Sequence, residues 1–206
     1  MGYIARLLPL LLAFNLVGDV AVKPAYDYVE WFAGDAAVSD GLTLLGFSGK
    51  SYDLRYDTRH DLLTPVGFLL AICAIMSLKP GGLLWIAPPC STWVWMSRHS
   101  TGRGKHILGK LYNKNIQAQN AMCSRLVYLL TLCMKRNVYW ILEQPDSSIM
   151  HTHPKMKRFL ARWAPKISEA KVDMGAFTLL CKKTLLLRGW APWLAWLGRK
   201  MSRKER

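Results

Sequence analysis

The chain has 206 residues, of which 28 are Lys or Arg and 13 are Asp or Glu, so its formal net charge is +15 at pH 7. This length suits one domain of ordinary size, and a composition that is 51% hydrophobic and 20% charged excludes a disordered chain. Five cysteines, an odd number without a Cys-x-x-Cys pair, argue against a disulfide framework and a structural zinc site, so no metal is expected.

In chain order the hydrophobic pattern predicts a strand over 26–33, a helix over 36–45, a strand over 50–54, a helix over 65–78, a strand over 83–87, a loop over 97–115, a helix over 116–134, a strand over 137–142, a basic helix over 154–163, and late strands over 177–180 and 184–187. Strands that alternate with helices predict an α/β domain over 25–198. We expect a Rossmann-like, mostly parallel sheet with helices on both faces.

The two ends of the chain have distinct compositions. Residues 1–24 include an apolar run, Leu7 to Phe14, that is too short to span a membrane. We predict an apolar helix that packs on the domain, and the alternative is a targeting segment such as a cleaved signal peptide. Residues 199–206 form a basic tail, which either contacts phosphates or is a solvated terminus. No stable membrane insertion is expected.

The charge is divided unevenly along the chain. Residues 1–90 contain 6 basic and 8 acidic side chains, whereas residues 91–206 contain 22 basic and 5 acidic ones. Such asymmetry indicates a polyanion bound on one side of the fold, and the alternative is a solvated basic face that keeps the protein soluble.

Candidate ligand-binding residues follow the predicted strands, where ligands of open α/β sheets bind. Gly34 and Asp35 follow the first strand, and a glycine at such a turn lets the backbone approach a ligand closely. Asp53 lies 19 residues beyond Gly34. In folds that bind nucleoside cofactors, an acidic residue about 20 residues after the glycine turn binds the ribose hydroxyls. The alternative for Asp53 is a solvated loop acid.

Two further strand ends bear reactive groups. Pro88 and Pro89 follow the apolar strand 83–87 and fix the backbone before Cys90, which is a candidate nucleophile. Glu143 follows the strand 137–142 and precedes Gln144 and Pro145. A thiol and a carboxyl group that meet in one crevice are suited to covalent chemistry with proton transfer.

In this order the motifs resemble those of the DNA cytosine 5-methyltransferases over about residues 26–190. Phe32-Ala33-Gly34, with the adjoining Asp35, is similar to the family's first cofactor motif. Asp53 resembles the acid that binds the ribose, and Asp61 resembles the acid that contacts the adenine. Pro88-Pro89-Cys90 resembles the catalytic Pro-Cys motif, and Glu143 resembles the catalytic glutamate. The resemblance implies a class I methyltransferase fold and S-adenosylmethionine as the cofactor.

The resemblance also implies a mechanism. Cys90 would attack carbon 6 of a cytosine flipped out of the duplex, Glu143 would hydrogen-bond and protonate ring nitrogen 3, and carbon 5 would take the methyl group. Nucleic-acid contacts would come from the loop after the cysteine and from a late segment: Arg98, Arg103, Lys105, Lys182 and Lys183. We expect a monomer that acts on DNA, or alternatively RNA, inside the cell, in the nucleus if the cell is eukaryotic.

The chain also departs from the family pattern. Ala36 and Ala37 replace two glycines of the cofactor loop, Gln144 replaces an asparagine and Ser91 a glutamine. No Gln-x-Arg-x-Arg motif occurs, and no room remains for a separate target-recognition domain. These departures leave a second hypothesis, a catalytically inactive methyltransferase-like domain that binds nucleic acid. Trp93 and Trp95 either stack on a base or pack the root of the loop.

Overall fold

The computed structural model describes residues 23–177, 181 and 183–200. Its centre is a six-stranded sheet in the order β2-β1-β3-β4-β6-β5. The strands are β1 (Tyr26–Trp31), β2 (Gly49–Tyr52), β3 (Leu78–Ile86), β4 (Tyr139–Pro145), β5 (Ser168–Asp173) and β6 (Thr184–Trp190). The prediction of an α/β domain is therefore confirmed for the described residues.

The sheet is mixed, so the prediction of a mostly parallel sheet is wrong. β1 pairs with β2 and β3 in parallel, and β3 pairs with β4 in parallel, but β6 is antiparallel to both β4 and β5. Only ten residues separate β5 from β6, which is too few for a parallel crossover, and the chain therefore returns beside β5 in the opposite direction. Of the two predicted late strands, 184–187 lies within β6. In the other, 177–180, Phe177 is in a turn and 178–180 lie outside the described residues.

Over the residues that the structure describes, five α-helices accompany the sheet: α1 (Ala37–Leu44), α2 (Pro65–Met76), α3 (Arg98–Thr101), α4 (Lys114–Arg136) and α5 (Pro154–Trp163). Local chemistry sets their ends. The Thr64 hydroxyl accepts a hydrogen bond from the Gly67 N–H at 3.0 Å and caps α2, and Asn113 caps α4 in the same way. The prediction of a loop over 97–115 is wrong at two points, because α3 forms inside it and α4 already begins at Lys114.

Helices lie on both faces of the sheet. On one face α2, α4 and α5 cover the main core, which includes Val29, Leu84 and Trp140. On the other face α1 packs on β1, where the Tyr28 hydroxyl donates to the Ser39 carbonyl at 3.1 Å. A second, smaller cluster on that face covers β4, β5 and β6. Among the described residues, no helix is both long and apolar enough to cross a membrane.

The parallel strands β1, β3 and β4 end at one edge of the sheet, which we call the carboxyl edge. Ile86 at the end of β3 is paired with Leu142 of β4, and Trp31 at the end of β1 is paired with Ile86. The segments that follow β1 and β3 therefore meet at this edge, beside the last residues of β4. The prediction that this last strand ends at residue 142 is wrong, because β4 continues to Pro145 and contains Glu143.

Candidate functional site

Cys90 and Glu143 lie at the same carboxyl edge, as expected. Glu143 directly follows Leu142, and Cys90 lies four residues beyond the partner of Leu142 in β3. Gln144 joins the two segments, because its Nε2 donates a hydrogen bond to the Pro88 carbonyl at 2.8 Å. The Ser148 hydroxyl donates to Gln144 Oε1 at 2.8 Å and fixes the amide. The buried Gln144 therefore positions the loop that presents Cys90.

Cys90 occupies a tight turn beyond β3. The Trp93 N–H donates a hydrogen bond to the Cys90 carbonyl at 2.8 Å. Cys90 itself is half-buried, and its neighbours Pro89 and Ser91 are exposed. Elsewhere, burial raises the pKa of Cys73, and burial raises the pKa of Cys123 to about 12. These two thiols are structural in character, whereas Cys90 stands at an accessible strand end.

Glu143 lies in an environment that favours its protonated form. Burial raises the pKa of the Glu143 carboxyl, a hydrogen bond from Trp85 lowers it in part, and the nearby charge of Glu30 raises it further. The Trp85 Nε1–H donates to Glu143 Oε2 at 3.2 Å. A carboxyl group that retains its proton to higher pH than usual is suited to donating a hydrogen bond or a proton.

The glycine turn after β1 has an unusual backbone. Phe32, Gly34 and Ala36 have φ angles of 62°, 59° and 56°, all in the left-handed region. For the two residues other than glycine this conformation costs about 1–2 kcal/mol each. Such strain is concentrated at functional sites, where surrounding structure maintains it. Ala33 is buried, and Asp35 is exposed beside the turn.

Asp53 lies against this turn. Its Oδ2 accepts a hydrogen bond from the Gly34 N–H at 2.9 Å, and its Oδ1 accepts one from the Arg55 N–H at 2.8 Å. Burial raises the pKa of Asp53, but these N–H groups and the charged Arg55 side chain together outweigh burial, so the pKa is lowered. The Tyr56 hydroxyl donates to the Gly34 carbonyl at 2.6 Å, and the Arg55 guanidinium pairs with Asp35 at 3.1 Å.

Asp61 lies further along the same connection, away from the contacts of Asp53. Its Oδ1 accepts a hydrogen bond from the Leu63 N–H at 2.8 Å. The Asp61 carbonyl accepts one from the Thr64 hydroxyl at 2.9 Å. Asp61 therefore shapes the turn that leads into α2.

Two site residues, Glu30 and Trp85, were not predicted from the sequence. Glu30 is buried, and its Oε2 accepts hydrogen bonds from the Ser39 N–H at 2.8 Å and the Ser39 hydroxyl at 2.6 Å. Glu30 is paired in register with Trp85, so Glu30, Trp85 and Glu143 form a row across three strands on the face of α1. The alternation of side chains along strands would have placed them on one face.

Arg103 lies inside the loop that follows Cys90. The residue is only 4% exposed. Its Nη1 donates hydrogen bonds to the Ile107 carbonyl at 2.6 Å and to Asn120 Oδ1 at 3.0 Å. The guanidinium carbon lies 3.4 Å from the centre of the Trp93 ring. Burial lowers the pKa of Arg103 to about 10, so it is charged at neutral pH. In this arrangement the buried Arg103 guanidinium holds the loop together through contacts within the protein.

The two tryptophans after Cys90 have different environments. Trp93 is fully buried between Arg103 and the edge of the His153 ring. Trp95 is 69% exposed and stands beside exposed Met96. Trp93 therefore packs the root of the loop, and only Trp95 is free to stack on a base.

The other predicted cationic contacts lie in several places. Lys105 is exposed at the loop, and Arg98 is half-buried with its Nη2 3.4 Å from the Ser147 carbonyl. Lys183 is exposed before β6, whereas Lys182 lies outside the described residues. No Asp or Glu occurs in the sequence from residue 62 to residue 142, so the loop and α4 contain basic residues without acidic neighbours in sequence.

Comparisons with known proteins add no relative. No protein-family model matches the chain, and no curated protein is similar to it. Within the described part of the chain, no group of three or more His, Cys, Asp or Glu side chains is arranged to hold a metal ion.

Proposed function

We propose that the protein transfers a methyl group from S-adenosylmethionine to carbon 5 of cytosine in DNA, with Cys90 as the nucleophile. The observation that carries the proposal is the placement of Cys90 and Glu143 at one sheet edge, joined by Gln144 and Pro88. The placement of β6, antiparallel between β4 and β5, supports the Rossmann-like, class I methyltransferase-type fold that we propose for residues 25–198.

The side chains at this edge have the chemistry that the reaction needs. The Cys90 sulfur adds to carbon 6 of the cytosine, and the ring electrons move towards carbon 5 and nitrogen 3. Glu143 donates a hydrogen bond to nitrogen 3 and stabilises the charge that develops there, a role favoured by its raised pKa. Carbon 5 would then form its bond to the methyl group as that group's bond to the cofactor sulfur breaks. Loss of the carbon 5 proton to solvent and departure of the Cys90 thiolate from carbon 6 would restore the ring.

The turn at Gly34 and the end of β2 would hold the cofactor, which when bound supplies an electrophilic methyl group. Ala36 has the left-handed backbone that suits the glycine found at this position of the family motif, which supports the alignment of the motif. The Phe32 to Asp35 turn, Asp53, Asp61 and the buried Pro88 line the segments that would surround the cofactor.

The region beside Cys90 supports a nucleic-acid substrate. Trp95 and Tyr112, which is 81% exposed, offer aromatic faces, and Lys105 and Lys114 add positive charge in a stretch without acidic residues. Aromatic faces that alternate with cations suit bases and phosphates respectively. We propose that DNA lies here and that the protein acts inside the cell, as a monomer, where DNA is found.

The test is a methyl-transfer assay with the full chain, duplex DNA and labelled S-adenosylmethionine. We expect label on carbon 5 of cytosine and a loss of at least about 10³-fold in Cys90→Ala, because the nucleophile is removed. Cys73→Ala is the matched control, since it removes a thiol of α2 and should retain activity. RNA of the same sequence tests the substrate class. Absence of transfer, or transfer that survives Cys90→Ala, contradicts the proposal.

One observation favours a second function, an inactive methyltransferase-like domain that binds nucleic acid. Both Asp53 oxygens already accept N–H groups of the protein, and the Arg55 guanidinium lies over Gly34. Calorimetry with S-adenosylmethionine separates the two functions. Micromolar binding supports the enzyme, whereas no binding together with salt-sensitive DNA binding supports the second function.

A further inference from the structure

An apolar groove crosses the face of the sheet that bears α1, at the edge opposite to Cys90. It encloses about 410 Å³, and its apolar lining comes from α1, the sheet and the segment after β6: Tyr28, Leu42, Phe47, Leu83, Tyr139 and Trp193. Glu143 lies four residues along β4 from Tyr139, about 13 Å away along the strand. The groove is therefore separate from the candidate site.

Apolar side chains close in sequence to the lining residues face solvent. Leu44 and Leu45, which lie between Leu42 and Phe47 in the chain, are 88% and 74% exposed, and Trp196, three residues after Trp193, is 86% exposed. Leu83 and Tyr139 on the floor are only half-buried. An apolar groove with half-buried apolar residues on its floor is typical of a surface that binds an apolar partner.

The charges at the groove exclude a strongly charged partner. Lys79 and Asp27 line the groove and neutralise each other through an ion pair, with 2.7 Å between Lys79 Nζ and Asp27 Oδ1. The remaining lining residues are uncharged. An apolar segment is thus the partner that matches the chemistry of the groove.

The chain itself supplies such a segment next to the groove. Residues 1–22 precede the described part of the chain, which begins at Lys23, only four residues before Asp27 at the groove. Leu7 to Phe14 are eight consecutive apolar residues. The eight residues 15–22 span up to about 26 Å when extended, whereas the groove crosses two strand spacings, about 10 Å.

We propose that residues 7–14 occupy this groove and complete the domain on the face of α1. The covalent connection raises the local concentration of the segment above that of any separate partner. The proposal does not depend on methyl transfer, since no residue of the groove belongs to the candidate site.

The test is photo-crosslinking in the full chain, with p-benzoylphenylalanine in place of Trp193. We expect a cross-link within one chain to residues 7–14, mapped by mass spectrometry in a mixture of isotope-labelled and unlabelled protein. The same probe in place of Tyr112, on the loop after Cys90, is the matched control and should give no such cross-link. A probe in place of Phe47 on the other wall repeats the test if the first variant does not fold.

A variant of the segment provides the second measurement. Leu11→Asp should lower the cross-link yield by about tenfold or more, because an unpaired carboxylate resists burial, and should increase the fluorescence of an apolar dye. Asn15→Asp adds the same charge outside the apolar run and should change neither. A cross-link to a second chain, no cross-link from either wall, or a mature protein that lacks residues 1–22 overturns the proposal.

Discussion

At the residue scale, the balance between burial and hydrogen bonding decides the chemical character of each candidate carboxyl group. Glu143 lies half-buried on the face of α1 with one hydrogen bond from Trp85, and its pKa is raised. Asp53 is also partly buried, but it accepts two backbone N–H groups and its pKa is lowered. Two carboxyl groups at one edge of one sheet are thereby suited to opposite roles, a proton donor and an anionic acceptor.

The raised pKa of Glu143 predicts the pH dependence of stability. The folded protein binds this proton more tightly than the unfolded chain, so the favourable contribution is complete below pH 4.5 and is lost as pH rises through the folded pKa. The Glu143→Gln variant should therefore have a higher free energy of unfolding than the parent protein at pH 7. The difference between the two free energies should become smaller towards pH 4.5. Urea unfolding at both pH values measures this change.

Glu169→Gln is the control for that experiment. The Glu169 carboxylate is exposed, and glutamine at this position retains an oxygen that can accept from the Arg188 guanidinium, so the replacement should change stability by less than about 1 kcal/mol at either pH. An identical pH dependence in the Glu143→Gln variant and the parent protein would contradict the assignment of the raised pKa to Glu143.

At the element scale, the start of α1 combines backbone strain with a functional turn. Ala36 precedes α1 in the left-handed region, without a side-chain cap for the helix. The buried Glu30 accepts from the Ser39 N–H and so satisfies one of the free N–H groups of the first helical turn. Glu30 of β1 thus holds the start of α1 in place, while the backbone of Ala36 remains strained.

Relief of that strain gives a measurable stability change. Ala36→Gly should raise the free energy of unfolding by about 0.5–1 kcal/mol, because the gain from the left-handed backbone exceeds the entropy that glycine loses on folding. Ala37→Gly, at the first helical residue, should instead lower it by up to about 1 kcal/mol. Chemical unfolding measures both, and equal effects of the two substitutions would be inconsistent with the strain.

The loop after Cys90 depends on Arg103 as an internal anchor. Arg103→Met removes the donors to the Ile107 carbonyl and Asn120 and the contact with Trp93, and should lower stability by about 2–4 kcal/mol. Lys105→Met, two residues away and exposed, should change stability by less than about 0.5 kcal/mol but weaken DNA binding. A loss of DNA binding in Arg103→Met with unchanged stability would place Arg103 at phosphates instead.

At the scale of the whole molecule, charge and groove divide the protein. At the carboxyl edge, the chain beyond Cys90 continues into residues 91–136, which include basic residues and no acidic ones. The opposite edge has the apolar groove, where Asp27 and Lys79 form an ion pair. Nucleic acid and the apolar N-terminal segment would therefore bind at opposite ends of the sheet without competition.

The basic surface predicts a strong dependence of DNA binding on salt. If about six phosphates are neutralised, the affinity should fall by about 10³-fold between 50 and 200 mM salt. Lys105→Gln should reduce the slope by about one, whereas Lys79→Gln at the opposite edge should leave it unchanged. Titration by fluorescence anisotropy measures the slope, and salt-independent binding would contradict an electrostatic interface.

The sequence by itself determined the elements and their strand-end residues, because hydrophobic period and capping chemistry are local. The Thr64-Pro65 start of α2 and the apolar run of β3 are examples, and the latter places Cys90 beyond its strand. Glu143, in contrast, lies inside β4, which continues to Pro145. The tertiary structure alone decided the direction of β6, the burial of Arg103 against Trp93, and the hydrogen bond from Gln144 to the Pro88 carbonyl. These features join residues that are distant in the chain, or depend on what surrounds them, and no local pattern encodes such contacts.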